Sequence, residues 1–207
     1  MRPNVTVRRP APLPVPPGPR AAGPAAVRPA GRADLPFIDH LQRRYREQLG
    51  FLPRAALDEA VCAGRVWLAL ENGCPAGYLY ARDRYHGRAE VGVIYQAALS
   101  YDARRRHVGT ALVEGWVAAH AAGVRQVVLW CARDIEANLF WESLGFAALG
   151  YRVGGSKRGR VHVLWVRATA PDGPAGALWV PSQTSGGQMQ RARAVARFAP
   201  GRGWRDV

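Results

Sequence analysis

Leu99-Ser-Tyr-Asp-Ala-Arg-Arg-Arg-His-Val-Gly-Thr-Ala-Leu112 is the stretch on which the reading of this chain turns. The apolar run Ala89 to Leu99 reads as a long strand, and it ends in an arginine-rich turn. A helix follows from Val108 to Ala122, closed by Gly123. The first N–H groups of a helix have no partner within it, and the helix dipole places roughly half a positive charge there. Gly109 lets a ligand approach the backbone, and Arg104, Arg105 and Arg106 add long-range attraction. A strand, a cationic loop and a helix start in this order form a cradle for a diphosphate. The competing reading is a solvated turn on a basic protein.

A second informative run lies downstream, Asp134-Ile-Glu-Ala-Asn-Leu-Phe-Trp-Glu-Ser-Leu-Gly-Phe146. Ala137, Phe140, Trp141 and Leu144 fall on one face of a helix that Gly145 ends. Upstream, Ala26 to Pro29 reads as a first strand. Asp34 is placed to cap a helix running to Leu49, and Pro53 opens a second helix to about Ala63. Arg65 to Glu71 and Pro75 to Asp83 form a hairpin about Asn72-Gly73. Val127 to Cys131 is a buried strand, and Phe146 to Val153 with Val161 to Val166 make a last hairpin. Antiparallel hairpins thus surround one strand–helix–strand crossover. The fold class is α+β, a mixed, mostly antiparallel sheet with helices on both faces.

The 207 residues carry 29 Lys+Arg against 15 Asp+Glu, a net charge of +14, and Lys157 is the sole lysine. Such a surface favours anionic partners, nucleic acid among them. Residues 1–24 hold eight of the sixteen prolines, four arginines and no acid, and read as a disordered arm. Residues 25–168 are the folded domain. Residues 169–207, rich in Gly, Ser, Gln and Arg, read as a flexible basic tail with at most a short helix at Gln190 to Phe198. Cys62, Cys74 and Cys131 are odd in number and form no C-x-x-C pair, which argues against a disulfide framework or a metal cluster. No apolar run reaches the ~18 residues of a membrane span. Prolines break the segment after Arg8-Arg9 that an export signal would need. A cytoplasmic location is the expectation.

The two runs resemble the GNAT superfamily of N-acetyltransferases. Its cofactor loop has the form Arg/Gln-x-x-Gly-x-Gly/Ala after a strand end, and its later helix the form Asn-x-x-Ala-x-x-Phe-Tyr-x-x-x-Gly-Phe. The first pattern falls on Arg104, His107 and Gly109, with Leu99 at the strand end; a rival register uses Arg106, Gly109 and Ala111. The former is preferred because it puts Val108, Ala111 and Leu112 on the family's apolar helix positions. The second pattern falls on Asp134, Ala137, Phe140, Trp141, Gly145 and Phe146. The resemblance spans roughly residues 25–167. It implies a GNAT-like fold and acetyl-CoA as co-substrate, with no metal. Arg104, Arg105, Arg106, His107, Val108, Gly109 and Thr110 would hold the diphosphate. The backbone of Ala97, Ala98 and Leu99 would pair with the pantetheine. Asp134, Ala137 and Trp141 would lie along the pantetheine and thioester.

The implied chemistry is direct attack of an amine on the thioester, with an amide near Leu99 for the oxyanion and a general base for the amine. Three departures stand out. His107 occupies the place of the first loop glycine. Trp141 replaces the tyrosine that often protonates the leaving thiolate, so either water, Tyr95 or Tyr151 takes that part or the thiolate leaves unaided. Val93 stands where a strand glutamate is expected, leaving Glu90, brought inward by a bulge, as candidate base. Arg43, Arg44, Arg46 and Arg54, with Tyr45 and Phe51, border the acceptor entrance and suit something acidic. Two other functions compete: a nucleic-acid- or tRNA-directed protein of the same fold, and a CoA-binding member without catalysis.

Overall fold

The computed structural model describes residues 25–153, 159–169, 178–181 and 195–207. In chain order the elements are β1 (Ala26–Pro29), α1 (Leu35–Arg44), α2 (Arg46–Leu49), α3 (Arg54–Cys62), β2 (Val66–Glu71), β3 (Cys74–Arg82), β4 (Val91–Leu99), α4 (Val108–His120), β5 (Gln126–Ala132), α5 (Ala137–Ser143), β6 (Ala147–Val153) and β7 (Val161–Ala168). The strands form one sheet in the order β1-β2-β3-β4-β5-β7-β6. β4 and β5 are parallel and joined through α4; every other neighbouring pair is antiparallel. This is the mixed α+β sheet expected from the order of elements.

Local chemistry sets the joints. Asn72 and Gly73 take φ of 52° and 79°, the left-handed pair that a two-residue hairpin requires. Alternation along the strands sends side chains to two different cores. On one face Leu79, Ile94, Val127, Leu129, Val163 and Trp165 meet Leu112, Val113 and Trp116 of α4 and Trp141 of α5. On the other, Leu68, Tyr78 and Ala98 meet Ile38, Leu41, Leu57 and Val61 of α1 and α3. Each large side chain so buried contributes about 1.5–3 kcal/mol of transfer free energy. Gly92 permits this closeness, since a Cβ there would come within 2.7 Å of the Trp116 ring.

Two expectations are corrected. The single helix from Asp34 to Leu49 is broken at Tyr45, whose φ of −110° and ψ of 23° leave the helical region. Asp34 makes no side-chain cap to α1; its carboxylate accepts from the Gly31 amide and from Arg28 instead. The tail is the other correction. Helices α1 to α3 leave the outer face of β5 and β7 bare, and Leu178, Trp179, Val180 and Val195 cover Val128, Leu164 and Val166 there. The Gln126 amide grips the Trp179 backbone with two 2.8 Å hydrogen bonds. Ala196 pairs with Tyr151 on the free edge of β6, both bonds being 2.8 Å. Phe198 and Trp204 then reach the opposite face, where Trp204 meets Trp165 and Arg205 pairs with Glu142 at 2.7 Å. The described parts of the tail are therefore packed, because apolar side chains interleave its polar ones. The arm 1–24 and most of the suggested helix Gln190 to Phe198 lie outside the described residues, and 195–198 are extended.

Candidate functional site

A β-bulge creates the site. Tyr80 faces Gln96, but the next pair is Ala81 with Ile94, so Tyr95 is an extra residue in β4. A bulge bends its strand and ends regular pairing. β4 stays with β5 only as far as Ile94 and Leu129. Beyond that point Trp130, Cys131 and Ala132 pair solely with β7, and residues 96–99 of β4 pair solely with β3. The two parallel strands part like a V. A cavity of about 660 Å³ fills the opening. Cys131, Ala137 and Trp141 line it from the α5 side, while Tyr85, Trp130, Arg152 and His162 line it from the other.

The bulged strand turns backbone groups into that gap. Ser100 donates to Ala76, so alternate residues Ala98 and Gln96 also bond toward β3. Ala97 and Leu99 consequently direct their N–H and C=O away from β3, to the side where β5 has departed. Just past Leu99 the loop carries two left-handed residues, Arg105 and His107, each with φ of 59°. Successive amides of Arg105, Arg106, His107, Val108, Gly109 and Thr110 meet no acceptor among the described residues. Arg105 and His107 to Thr110 line a second cavity of about 340 Å³, together with Leu99 and Phe140. A left-handed residue leading into a helix is a geometry that gathers N–H groups into an anion-binding concavity. Arg105 and His107 to Thr110 thus stand together with Leu99, and Ala97 lies along the gap, while Arg104, Arg106 and Ala98 line neither cavity.

The side chains of this loop differ from expectation. Gly109 does not open the backbone to a ligand on its Cα side: a Cβ there would lie 3.1 Å from the Phe140 ring and 3.3 Å from Leu99. Its glycine serves helix packing. Arg106 is held by Glu71 at 2.7 Å, anchoring the loop to the end of β2. Arg104 stacks over Tyr45 and Tyr101, at 5.1 and 5.8 Å from their ring centroids. Of the three arginines only Arg105 lines the smaller cavity, and its guanidinium stands 4.0 Å from the Glu136 carboxylate.

The catalytic candidates separate. Glu90 precedes β4, lies outside both cavities and pairs with Arg88 at 2.7 Å, so the bulge that was to bring it inward falls five residues too late. Tyr151 does not reach the site either; its ring packs on Phe198 under the tail. Tyr95 lines the large cavity half-exposed, and desolvation raises its phenol above the ordinary range, so it stays protonated at neutral pH. Trp141 is buried and lines the cavity beside Cys131. Burial pushes the Cys131 thiol up to about 12, with the Trp141 indole offsetting this in part, so this sulfur is not a nucleophile at neutral pH. Asp134 is absent from the lining. It pairs with Arg160 at 2.7 Å, which holds its carboxyl below the usual range.

Several functional positions went unread. Arg160 also donates to the Glu47 carbonyl at 2.6 Å, bolting the start of β7 to α2 across the cavity rim. Arg152 stacks on Trp130, 4.0 Å from its ring centroid. Asn138 is fully buried; its amide donates to Ala132, Arg133 and Ile135 and accepts from the Trp165 indole at 3.0 Å. It fixes the turn that carries Ala137 and Trp141 to the gap. An asparagine in the first turn of a helix, beside the apolar Ala137, Leu139, Phe140 and Trp141, was the available signal. Among the described residues no cluster of three His, Cys, Asp or Glu side chains converges on a metal position, and no helix is long and apolar enough to cross a membrane.

Comparison with known proteins adds the following. The family model described as "Acetyltransferase (GNAT) family" matches residues 34–146. No curated protein matches the sequence. Among solved structures, Ard1 from Thermoplasma volcanium superposes with a TM-score of 0.61 at 16% identity, over 70% of this chain and 97% of that one. The ribosomal-protein-S18-alanine N-acetyltransferase from Escherichia coli gives 0.58 at 18% identity, over 74% and 99%. N-acetylglutamate synthase from Neisseria gonorrhoeae, solved with coenzyme A and N-acetyl-glutamate, gives 0.56 at 17% identity, over 70% of this chain and 35% of that one.

Proposed function

Because the chain belongs to the acetyltransferase (GNAT) family, we propose that it moves an acetyl group from acetyl-coenzyme A to a primary amine by direct attack. The observation that carries this reading is the row of six amides, Arg105 to Thr110, that meet no acceptor among the described residues, five of these residues lining the smaller cavity beside Leu99. Six adjacent donors at a helix start suit a diphosphate. Arg105 supplies charge at its rim. From there the backbone of Ala97 and Leu99 runs toward the large cavity, offering strand-like hydrogen bonds to an extended pantetheine arm. Bound acetyl-CoA would supply the acyl carbon as a thioester.

The protein's own groups then divide the work. The Ala97 amide, which borders the large cavity, suits stabilisation of the carbonyl oxygen better than that of Leu99, which borders the smaller one. Trp141 walls the reacting end and excludes water. Tyr95, kept protonated, is a proton donor for the departing sulfur. Arg46, Arg152, Arg160 and His162 line the acceptor side with Glu47, Arg160 being paired with Asp134 at its edge, and this lining suits an amine that also carries an anionic group.

Calorimetry with acetyl-CoA tests the reading, together with thiol release during incubation with amino acids, amino-terminal peptides and aminoalkyl phosphates. Micromolar binding and turnover with at least one amine are expected. No binding at millimolar acetyl-CoA would sink it; binding without turnover would leave a CoA-binding protein. The net charge of +14 supports a second reading, a nucleic-acid-directed protein of this fold. That reading requires tight RNA or DNA binding that weakens steeply with salt.

A further inference from the structure

With Glu90 and Asp134 committed elsewhere, the site still needs a group that can accept a proton from the acceptor. We propose that His162 is this general base, an inference that rests on the acetyl-transfer reading above. His162 stands at the start of β7, opposite Ala132 of β5 on one side and Arg152 of β6 on the other. Strand alternation puts it on the same face as Leu164 and Val166, away from α4 and α5. It therefore borders the cavity from the face opposite Cys131 and Trp141, where an acceptor would enter. Its Nδ1 lies 3.1 Å from the Arg160 carbonyl oxygen. That oxygen can only accept, so Nδ1 carries the hydrogen and Nε2 is left with a lone pair.

The surroundings keep that lone pair unprotonated. His162 is half-buried, and desolvation lowers its affinity for a proton, with Arg152 adding to the effect. Arg160 acts in the same sense, while its backbone carbonyl and the Asp134 carboxylate oppose it. The other lining groups are poorer bases. Tyr95 and Cys131 are protonated at neutral pH, and carboxylates as a class are weaker bases than imidazole. The step balances simply. The amine nitrogen bonds to the thioester carbon, and the C–S bond breaks with its electron pair on sulfur. The amine proton passes to Nε2, and the imidazolium gives it up to solvent.

The test compares the wild-type chain with His162→Gln and His162→Asn, using acetyl-CoA and whichever acceptor of the panel above turns over. Wild-type kcat should fall at acid pH through a limb below the ordinary histidine range that does not move when an acceptor of different amine pKa is used. Both variants should bind acetyl-CoA as the wild type does, a control for folding, yet lose roughly 10²–10⁴-fold in kcat together with that limb. Added imidazole should restore part of the rate of His162→Ala. A variant that binds acetyl-CoA and keeps both rate and limb would overturn the base assignment while leaving acetyl transfer standing. Absence of turnover in the wild type would overturn both.

Discussion

At the scale of single residues, His107 is the most instructive departure. A left-handed backbone costs an L-residue roughly 1–2 kcal/mol, less for histidine than for branched residues. His107 nonetheless holds φ of 59° at the entry to α4, with its side chain exposed. His107→Gly should therefore raise stability by about 0.5–1 kcal/mol, after the extra freedom glycine has when unfolded. Thermal unfolding would register this as a higher Tm, and acetyl-CoA affinity should not fall. A loss of affinity would mean that the imidazole itself contacts phosphate. Residue identities alone separated poorly into partners and ligands. Three arginines in a row look equivalent in sequence, but one is held by a glutamate, one stacks on tyrosines, and only one borders the cradle. Tyr101 apart, the side chains that decide their fates lie more than thirty positions away.

At the scale of elements, more was legible. The hairpin at Asn72-Gly73, the crossover through α4 and the glycine stop at Gly145 follow from short-range chemistry, and the structure has them where the sequence put them. The bulge at Tyr95 was not readable, since a period-two apolar run does not reveal one extra residue. The part that bulge plays in opening the sheet was missed with it. The tail strand was missed because its composition is polar, although Val195 and Phe198 supply apolar contacts on opposite faces. Gly150 makes room for it: a Cβ there would stand 2.7 Å from the Ala196 carbonyl oxygen and 2.8 Å from Val195. Backbone atoms cannot yield as flexible side chains do. Gly150→Val should detach this segment and cost about 1–3 kcal/mol. Hydrogen exchange at the amides of Tyr151 and Ala196 would show the loss of protection, and unchanged protection would refute the assignment.

For the molecule as a whole, charge and packing set the response to pH. Asp34 is held below its ordinary range first by its hydrogen bonds to Arg28, and Asp39 is lowered by Arg43 and Gln42 against an opposing desolvation. A group whose folded pKa is depressed contributes stability above its unfolded value, and that contribution is lost as pH falls through the folded one. His162, also lowered, acts in the same direction from just below pH 6.5. Stability should decline gently from there and steeply below about pH 4, and Asp34→Asn should flatten the steep part at a cost of about 1–2 kcal/mol at neutral pH. Denaturant titrations across that range would reveal it; an unaltered acid slope would exclude the Arg28 pair as its source. The Tyr151–Ala196 pairing carries a last consequence, in the order of biosynthesis. Residues 195–198 leave the ribosome after every strand of the sheet, and domains begin to fold while synthesis continues. Until they emerge, the nascent protein presents β6 as an open edge, the kind of surface that invites pairing with another chain. Slow translation of the segment after β7 would prolong that exposure, so the codons between Ala168 and Val195 bear on yield.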